Sequence, residues 1–133
     1  MGAQFGPFSQ DPLAAPFWAA AREQRLVLPW DTRAGRFSWY PRDEAGIEWR
    51  EVGGPASLFS FSVVRGPINP DFEPPYAPAL VVLAEAPGLR LVSQIVDCDF
   101  STLRCDMPLA LCFRALHSRR GEPYMAPVFR PVS

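Results

Sequence analysis

The stretch SLFSFSVV, residues 57–64, decides the fold, because apolar and small polar side chains alternate along it. Phe59 and Phe61 would lie on one face of a strand and Ser60 on the other, as in a half-buried β-strand. Four further stretches have strand character: ALVVLAEA (79–86), LRLVSQIV (89–96), LALCFRAL (109–116) and YMAPVFRPV (124–132). Five strands of this length predict a partly open OB-fold barrel over residues 56–133.

The connections between these strands carry their own predictions. Pro87-Gly88 predicts the turn of a hairpin between the second and third strands. Pro127 and Pro131 predict that the last strand is a broken, edge-like one, because proline has no N–H to donate to a neighbour. The connections 66–78 and 97–108 are longer than hairpin loops, and long irregular loops are usually functional.

The first 55 residues have a different pattern. Asp11 or Pro16 can start a helix over 16–24, which is rich in helix-forming residues. Short strands are predicted over 25–30, 37–40 and 49–52, with Gly35 at a positive φ in the intervening polar turn. We therefore expect two units: residues 1–55, an arm, a helix and a small β-module, and residues 56–133, the barrel.

Composition argues against several classes of function. The chain has 133 residues and a net charge of -1. A chain with this charge lacks the excess of basic residues that binding to a nucleic-acid backbone needs. No stretch has the length and hydropathy of a membrane span, and the N-terminus lacks the pattern of a signal peptide. We therefore expect a cytoplasmic protein, with Cys98, Cys105 and Cys112 as reduced thiols.

The residues that could carry chemistry do not form a recognisable catalytic set. His117 is the one histidine, and no nucleophile elbow or phosphate-binding glycine loop is present. The cysteines are not spaced as zinc ligands, so small buried side chains are the simpler interpretation. The acidic cluster of Asp97, Asp99 and Asp106 fits acid–base work or turn formation. We expect no catalytic residue and no metal site.

The connection 66–78 is the strongest candidate for a contact surface. It carries Phe72 and Tyr76 among several prolines, and exposed aromatic side chains are typical of protein interfaces and apolar ligand sites. Arg65, Arg90 and Arg104 could meet a phosphate or a partner carboxylate, or remain solvated surface charges.

Several segments, in their order along the chain, resemble one known family. They are PFWAAAREQRLVL (16–28), WREVGGPASLFSFSVV (49–64), LRLVSQIVDCD (89–99), MPLALCF (107–113) and PVFRPV (127–132). Together they resemble the OB-fold family, formerly a domain of unknown function, that accompanies thiolase-type acyl-CoA enzymes. The resemblance covers about residues 13–133 and implies a mainly β fold: an N-terminal helix, a rubredoxin-like zinc ribbon and an OB barrel.

The sequence departs from that family where the metal ligands would lie. The first cysteine knuckle is replaced by Asp31-Thr32-Arg33-Ala34-Gly35, and residues 41–48 hold no cysteine. Since a structural zinc site of this kind needs thiolates, we expect a degenerate, metal-free ribbon. Four aromatic side chains would hold it instead: Trp30, Phe37, Trp39 and Trp49.

The resemblance implies an accessory subunit with no activity of its own. Its partner would be a thiolase-like or lipid-transfer-type thiolase or aldolase subunit, with a hydratase as a further partner. The chain would help to assemble the complex and shape its acyl-CoA site, in steroid side-chain or aromatic-compound breakdown. No cofactor would bind directly, and acyl-CoA would be the substrate of the complex.

The expected contacts with the partner or with acyl-CoA lie on the helix, the 66–78 loop and the last strand. They are Phe17, Trp18, Arg65, Asn69, Phe72, Tyr76, Phe129 and Arg130. Two alternatives remain beside this reading. The first is a stand-alone acyl-CoA-binding module, with arginines on the phosphates and the acyl chain in the barrel mouth. The second is an OB protein that binds single-stranded nucleic acid.

Overall fold

A computed structural model describes residues 12–41, 45–67, 72–118 and 121–132. A 3₁₀ turn, Pro12–Ala14, precedes helix α1, Ala15–Arg22, and a second 3₁₀ turn spans Phe100–Thr102. The strands are β1 Val27–Asp31, β2 Arg36–Phe37, β3 Ile47–Glu51, β4 Pro55–Phe61, β5 Ala77–Leu83, β6 Ala86–Ile95, β7 Pro108–Ser118 and β8 Gly121–Pro131. Within these ranges no helix is both long and apolar enough to cross a bilayer.

Helix α1 buries Phe17, Ala20 and Ala21, which the helical period places on one side. Pro16 lies in its first turn, as predicted, whereas Asp11 lies outside the described residues. The helix ends at Arg22, two residues before its predicted end. Gln24 adopts a φ of 58°, and the N–H groups of Gln24 and Arg25 bond back to the carbonyls of Ala21 and Ala20. This is a Schellman-type termination, which is usually predicted from a glycine; because glutamine occupies that position here, no local pattern indicated it.

The first sheet, here the N-terminal sheet, consists of β2, β1 and β3 in that order, all antiparallel. Gly35 in the β1–β2 turn has a φ of 70°, as predicted. The predicted strand over 37–40 is shorter than expected, because after Phe37 the chain leaves the sheet.

The second sheet is a closed five-stranded barrel in the order β4-β5-β6-β8-β7. All its pairings are antiparallel except that between β6 and β8, which closes the barrel in parallel at Ile95 and Phe129. The prediction of a mainly β fold with an N-terminal helix and a five-stranded OB-type barrel is confirmed, although the barrel is closed rather than partly open as expected. One apolar core joins the helix, the N-terminal sheet and the barrel, since Phe17, Leu28 and Phe129 belong to the same buried cluster. The domain boundary at residue 55 stays a prediction.

Two predictions about the barrel connections were wrong. The β5–β6 turn lies at Ala84 and Glu85, because Leu83 already pairs with Ala86; Pro87 and Gly88 are inside β6. Strand β8 is also not an edge. It pairs with β7 along its length and meets β6 on its other side, and its middle is buried.

A side chain of the neighbouring strand β6 bonds to the backbone of β8 at Pro127. The Ser93 hydroxyl donates a buried hydrogen bond of 2.9 Å to the Pro127 carbonyl. This side-chain donor joins β6 to a residue that has no N–H to offer in return.

Candidate functional site

The described parts of the β4–β5 connection, 62–67 and 72–76, are joined by backbone hydrogen bonds near the ends of the two strands. Val64 and Tyr76 exchange two backbone hydrogen bonds of 2.8 and 3.0 Å. The rings of Phe72 and Tyr76, both partly buried, lie 5.2 Å apart between centroids. The structure thus brings two of the predicted contact residues together beside the base of the loop. Asn69 lies outside the described residues.

Arg65, at the start of this loop, is exposed and close to Asp99 on the connection after β6. The pKa of Asp99 is lowered first by hydrogen bonds from the Ser101 N–H and hydroxyl, at 2.9 and 2.8 Å, and further by the Arg65 charge. The two long connections predicted from the sequence therefore meet at one end of the barrel.

The other predicted contact residues divide between core and surface. Phe17 is 4% exposed and Phe129 is fully buried, so the structure places both side chains in the core rather than on a contact surface. Trp18 is partly buried and packs edge-on against Tyr124 of β8, with 5.7 Å between ring centroids. Arg130 is exposed at the end of β8.

The acidic cluster has structural roles. Asp99 caps the second 3₁₀ turn, while Asp97 and Asp106 adopt φ values of 59° and 70°. Asp97 also forms an ion pair with Arg114. Of the two interpretations of this cluster, turn formation accounts for the geometry.

Two of the three cysteine thiols are poor nucleophiles. Burial raises the pKa of Cys98, and the neighbouring Asp99 and Asp97 raise it further. Burial is also the main reason that the pKa of Cys112 is raised. Cys105 is exposed. Among the described residues, no three histidine, cysteine or acidic side chains group as metal ligands would.

Two turns of the N-terminal sheet are joined where the resemblance would place cysteine knuckles. The hydroxyl and the N–H of Thr32 both donate to the Gly46 carbonyl at 2.8 Å. The Arg33 guanidinium donates to the Ala45 carbonyl at 2.8 Å. These polar cross-links were not predicted, and they connect the two turns directly.

Aromatic contacts surround this junction. The Trp30 and Phe37 rings meet edge-on at 5.0 Å, and the Arg50 guanidinium lies 4.3 Å above Trp30. Trp39 packs against Phe17 of the helix, at 4.7 Å, and Trp49 packs against the core. All four aromatic residues named from the sequence thus make contacts within the folded chain.

A cleft of about 780 Å³ separates the N-terminal sheet from the beginning of β6. The sheet contributes Asp31, Arg33 and Arg36, and the barrel contributes Gly88 and Arg90. Three aromatic residues of the sheet side also line it: Phe37, Trp39 and Tyr40. Sequence reasoning named Arg90 as a possible phosphate ligand but had no signal that Arg36 lies across a cleft from it. We call this space the sheet–barrel cleft.

The outward face of β5 is unusually apolar. Leu80 and Val82 point away from the barrel core, and Leu80 is paired with Val92 of β6. Val92 is 38% exposed, and Phe59 of β4 is 43% exposed with the Arg90 guanidinium 4.1 Å above its ring. Solvated strand faces usually carry polar residues at such positions. We call Phe59, Leu80, Val82 and Val92 the β5 outer face.

Three matches to known proteins bear on this chain's family. Residues 49–114 match the family model described as "ChsH2, C-terminal OB-fold domain". The chain is 30% identical over 132 residues to the "Probable enoyl-CoA hydratase alpha subunit" of Thermomonospora curvata. That alignment covers 87% of this chain and 37% of the relative, so the chain spans little more than a third of that protein.

The third match is to a solved structure, "Ltp2-ChsH2(DUF35) aldolase". One of its chains superposes with a TM-score of 0.76 and 28% identity, covering 91% of this chain and 95% of that one. The likeness therefore includes the region before the barrel as well as the barrel.

Proposed function

Because residues 49–114 belong to the ChsH2 C-terminal OB-fold family, we propose that this chain is an accessory subunit of an acyl-CoA enzyme complex. The partner would be a thiolase-like aldolase or thiolase, and the chain would have no catalytic residues of its own. The observation that carries the proposal is the match to a chain of the Ltp2-ChsH2(DUF35) aldolase over 91% of this chain and 95% of that one.

The reaction assigned to the complex follows from the two named relatives. The solved structure is described as an aldolase, and the sequence relative is described as a probable enoyl-CoA hydratase subunit. The structural relative matches the whole architecture, whereas the hydratase subunit is matched over only 37% of its length. We therefore favour carbon–carbon bond cleavage of an acyl-CoA by the partner, as in steroid side-chain or aromatic-compound breakdown.

The chain's own side chains support a structural role in that complex. Asp99 accepts hydrogen bonds from Ser101 and lies near the Arg65 charge, and Asp97 pairs with Arg114, so both carboxylates already have partners. Burial raises the pKa of the Cys98 and Cys112 thiols, which keeps them protonated at neutral pH. The reacting groups would then come from the partner.

The partner would dock on the β5 outer face and the adjoining 62–76 loop. A face with Leu80, Val82 and Val92 side by side loses little by leaving water and gains apolar contact. Phe72 and Tyr76 would extend this surface with aromatic side chains, the type enriched at the centre of interfaces.

The experiment is to express the chain with an affinity tag in its native host and identify what purifies with it. We expect a thiolase-like subunit in stoichiometric amount, whose acyl-CoA cleavage activity or solubility is lost when this chain is withheld. A tagged but unrelated OB-fold protein is the control for non-specific capture. A monodisperse chain that brings down no acyl-CoA enzyme would contradict the proposal.

A further inference from the structure

We propose that the open edge of β7, residues 112–116, pairs with an extended segment of the acyl-CoA enzyme subunit that this chain accompanies. This inference rests on the proposed function for the identity of the partner, and it deepens that function by naming how the partner attaches. The carrying observation is that, in the described part of the chain, β4 pairs with β7 only at residues 108–110, whereas β8 pairs with β7 as far as Ser118.

The pairing with β8 shows which residues of β7 face the open edge. In an antiparallel pair, a residue directs its N–H and its C=O to the same side, and successive residues alternate. The carbonyls of Pro127 and Phe129 on β8 accept hydrogen bonds from β6 and the residue after it. These two residues are paired with Phe113 and Leu111, which therefore direct their backbone groups away from β8. By the same alternation, Ala115 does so too.

The start of β7 agrees with this orientation. The Pro108 carbonyl accepts a hydrogen bond from the N–H of Val132, just after β8, so the even-numbered residues of β7 face β8. Phe113 and Ala115 thus each present one N–H and one C=O at the edge. No group in the ranges that the structure describes bonds to these backbone atoms.

The edge lacks the features that usually prevent an exposed strand from pairing. Natural edge strands are commonly protected by lysine, by proline or by a β-bulge. Residues 112–116, CFRAL, contain no lysine or proline, and the irregularity in the β7–β8 register comes after Leu116. The charge of Arg114 is already in an ion pair with Asp97. An added strand can therefore pair here, and its main-chain hydrogen bonds would supply affinity.

A second copy of this chain fits the edge poorly. If Phe113 and Ala115 of two copies bonded to each other, the two Arg114 side chains would lie directly opposite, where like charges are destabilising. If Phe113 lay opposite Phe113, Ala115 would lie opposite Leu111. That place is taken by Gly54, since a Cβ added to Gly54 would lie 3.4 Å from the Leu111 backbone nitrogen. A strand of a different protein has neither restriction.

The flanking side chains define the segment that fits. Phe113 packs against the core, and Cys112 and Leu116 are partly buried, so the added strand would lie beside mainly apolar side chains. An extended segment rich in β-branched or aromatic residues suits such a neighbour. The residue opposite Arg114 should be neutral or acidic, because a basic one would repeat the repulsion that disfavours a second copy.

The test is Ala115→Pro, with affinity for the co-purified partner measured by surface plasmon resonance. Proline removes the outward N–H but none of the bonds between β7 and β8, because that N–H does not face β8. We expect binding at least about tenfold weaker, with a nearly unchanged melting temperature.

Ala115→Ser is the matched control, because it changes the same exposed side chain and keeps the N–H. It should bind like the wild type, as should other variants that alter only this side chain, since strand side chains point out of the plane of pairing. Equal affinity of Ala115→Pro and Ala115→Ser would overturn the proposal.

Hydrogen exchange checks the result without a substitution, read at single amides by fragmentation mass spectrometry. In the free chain, the amides of Cys112 and Arg114 face β8 and should be protected, while those of Phe113 and Ala115 should exchange at least about tenfold faster. In the complex, the amides of Phe113 and Ala115 should become protected. If their exchange is as fast with the partner as without it, no strand is added at this edge.

The two proposals fail separately. If the acyl-CoA enzyme binds the wild type and Ala115→Pro equally, the edge assignment is wrong and the accessory function stands. If a different kind of protein binds the wild type and is lost from Ala115→Pro, the edge is a docking site, but the partner named in both proposals is wrong. If nothing binds the wild type, both proposals are wrong.

Discussion

At the residue scale, Gly46 shows what holds the N-terminal sheet together. Its φ is 72°, and an added Cβ would lie 2.9 Å from Arg33 Nε and 3.4 Å from Thr32 Oγ1. These are the two side chains that cross-link the turns, and they can approach closely because glycine has none of its own. A polar junction therefore occupies the place where the resemblance would put a metal.

The first prediction compares two glycines. Gly35 and Gly46 share a left-handed backbone, but nothing lies within 4 Å of a Cβ added at Gly35. We expect Gly35→Ala to cost about 1 kcal/mol of stability for backbone strain alone. Gly46→Ala should cost about 1 kcal/mol more, because it also displaces Thr32 and Arg33. Urea unfolding measures both, and equal losses would show that the cross-links contribute nothing.

The second prediction concerns pH. The folded-state pKa of Asp99 lies below its ordinary value of 3.8, so its contribution to stability is present above about 3.8 and is lost as pH falls through the lower folded value. Asparagine can cap a turn nearly as well as aspartate, so Asp99→Asn removes mainly the charge. We expect the variant to melt below the wild type at pH 7 and the difference to shrink as the pH falls below about 3.8.

Ser101→Ala separates the causes of that shift. It removes the hydroxyl donor to Asp99 and keeps the N–H donor, so its effect on the acid limb should be intermediate. A melting difference between wild type and Asp99→Asn that stays constant over this pH range would contradict the assignment.

At the scale of elements, the seam between β6 and β8 has the fewest paired residues of any two neighbouring strands in the barrel. A single parallel bridge joins Ile95 and Phe129, with one further backbone bond of 2.8 Å from Val96 to the Phe129 carbonyl. The Ser93 hydroxyl adds the bond to Pro127. Closure of the barrel therefore depends on a side chain as well as on the backbone.

The third prediction tests that seam. Ser93→Ala should destabilise the chain by about 1–3 kcal/mol, since it leaves a buried carbonyl without this donor. Ser62→Ala, at an exposed serine, is the matched control and should change stability by less than about 0.5 kcal/mol. Chemical denaturation followed by tryptophan fluorescence gives both values. Equal stability of the two variants would assign closure to the backbone alone.

At the scale of the whole molecule, the β5 outer face and the sheet–barrel cleft share one residue. Arg90 covers the Phe59 ring on the outer face and also lines the cleft. A partner docked on the outer face would thus lie beside the cleft.

The fourth prediction tests docking on that face. Val92→Glu places a charge on the exposed apolar surface without entering the core, and it should weaken binding of the co-purified partner at least about tenfold. Ala115→Glu, an exposed position on β7, makes the same kind of change away from β5 and should bind normally. Surface plasmon resonance with the purified partner compares them. Undiminished affinity of Val92→Glu would remove this face from the interface.

Local patterns carried the prediction of the fold a long way. The five barrel strands were readable, because a period of two is a property of neighbouring residues. The prediction that Phe59 and Phe61 share one face of β4 was wrong, since a β-bulge between Leu58 and Ser60 leaves Leu58 in the core and turns Phe59 outwards, 43% exposed. The errors came where a distant group changed the outcome. Pro127 looked like the mark of an edge strand, but β6 lies on that side of β8, and Ser93, 34 positions earlier, donates a hydrogen bond to the Pro127 carbonyl. The end of helix α1 was missed because Gln24 occupies the positive-φ position, where a glycine would have predicted a helix end.

The predictions about the contact residues were likewise right within one segment and wrong where tertiary packing decided the outcome. Phe72 and Tyr76 were predicted as a pair on one loop, and the structure brings their rings together. Phe17 and Phe129 were expected at a contact surface but are buried, because an aromatic residue in an amphipathic segment gives no sign of which face the core will take.

What could be known from the chain alone was therefore its strands, its helix, its family likeness and the absence of cysteines from the expected knuckles. Each of these features depends on residues that are close together in the sequence. Closing the barrel and packing the N-terminal sheet against β6 then created the features that no local pattern encodes. They brought Arg36 opposite Arg90, Thr32 onto Gly46 and Leu80 beside Val92, since contact between distant residues is decided by how strands pair and pack.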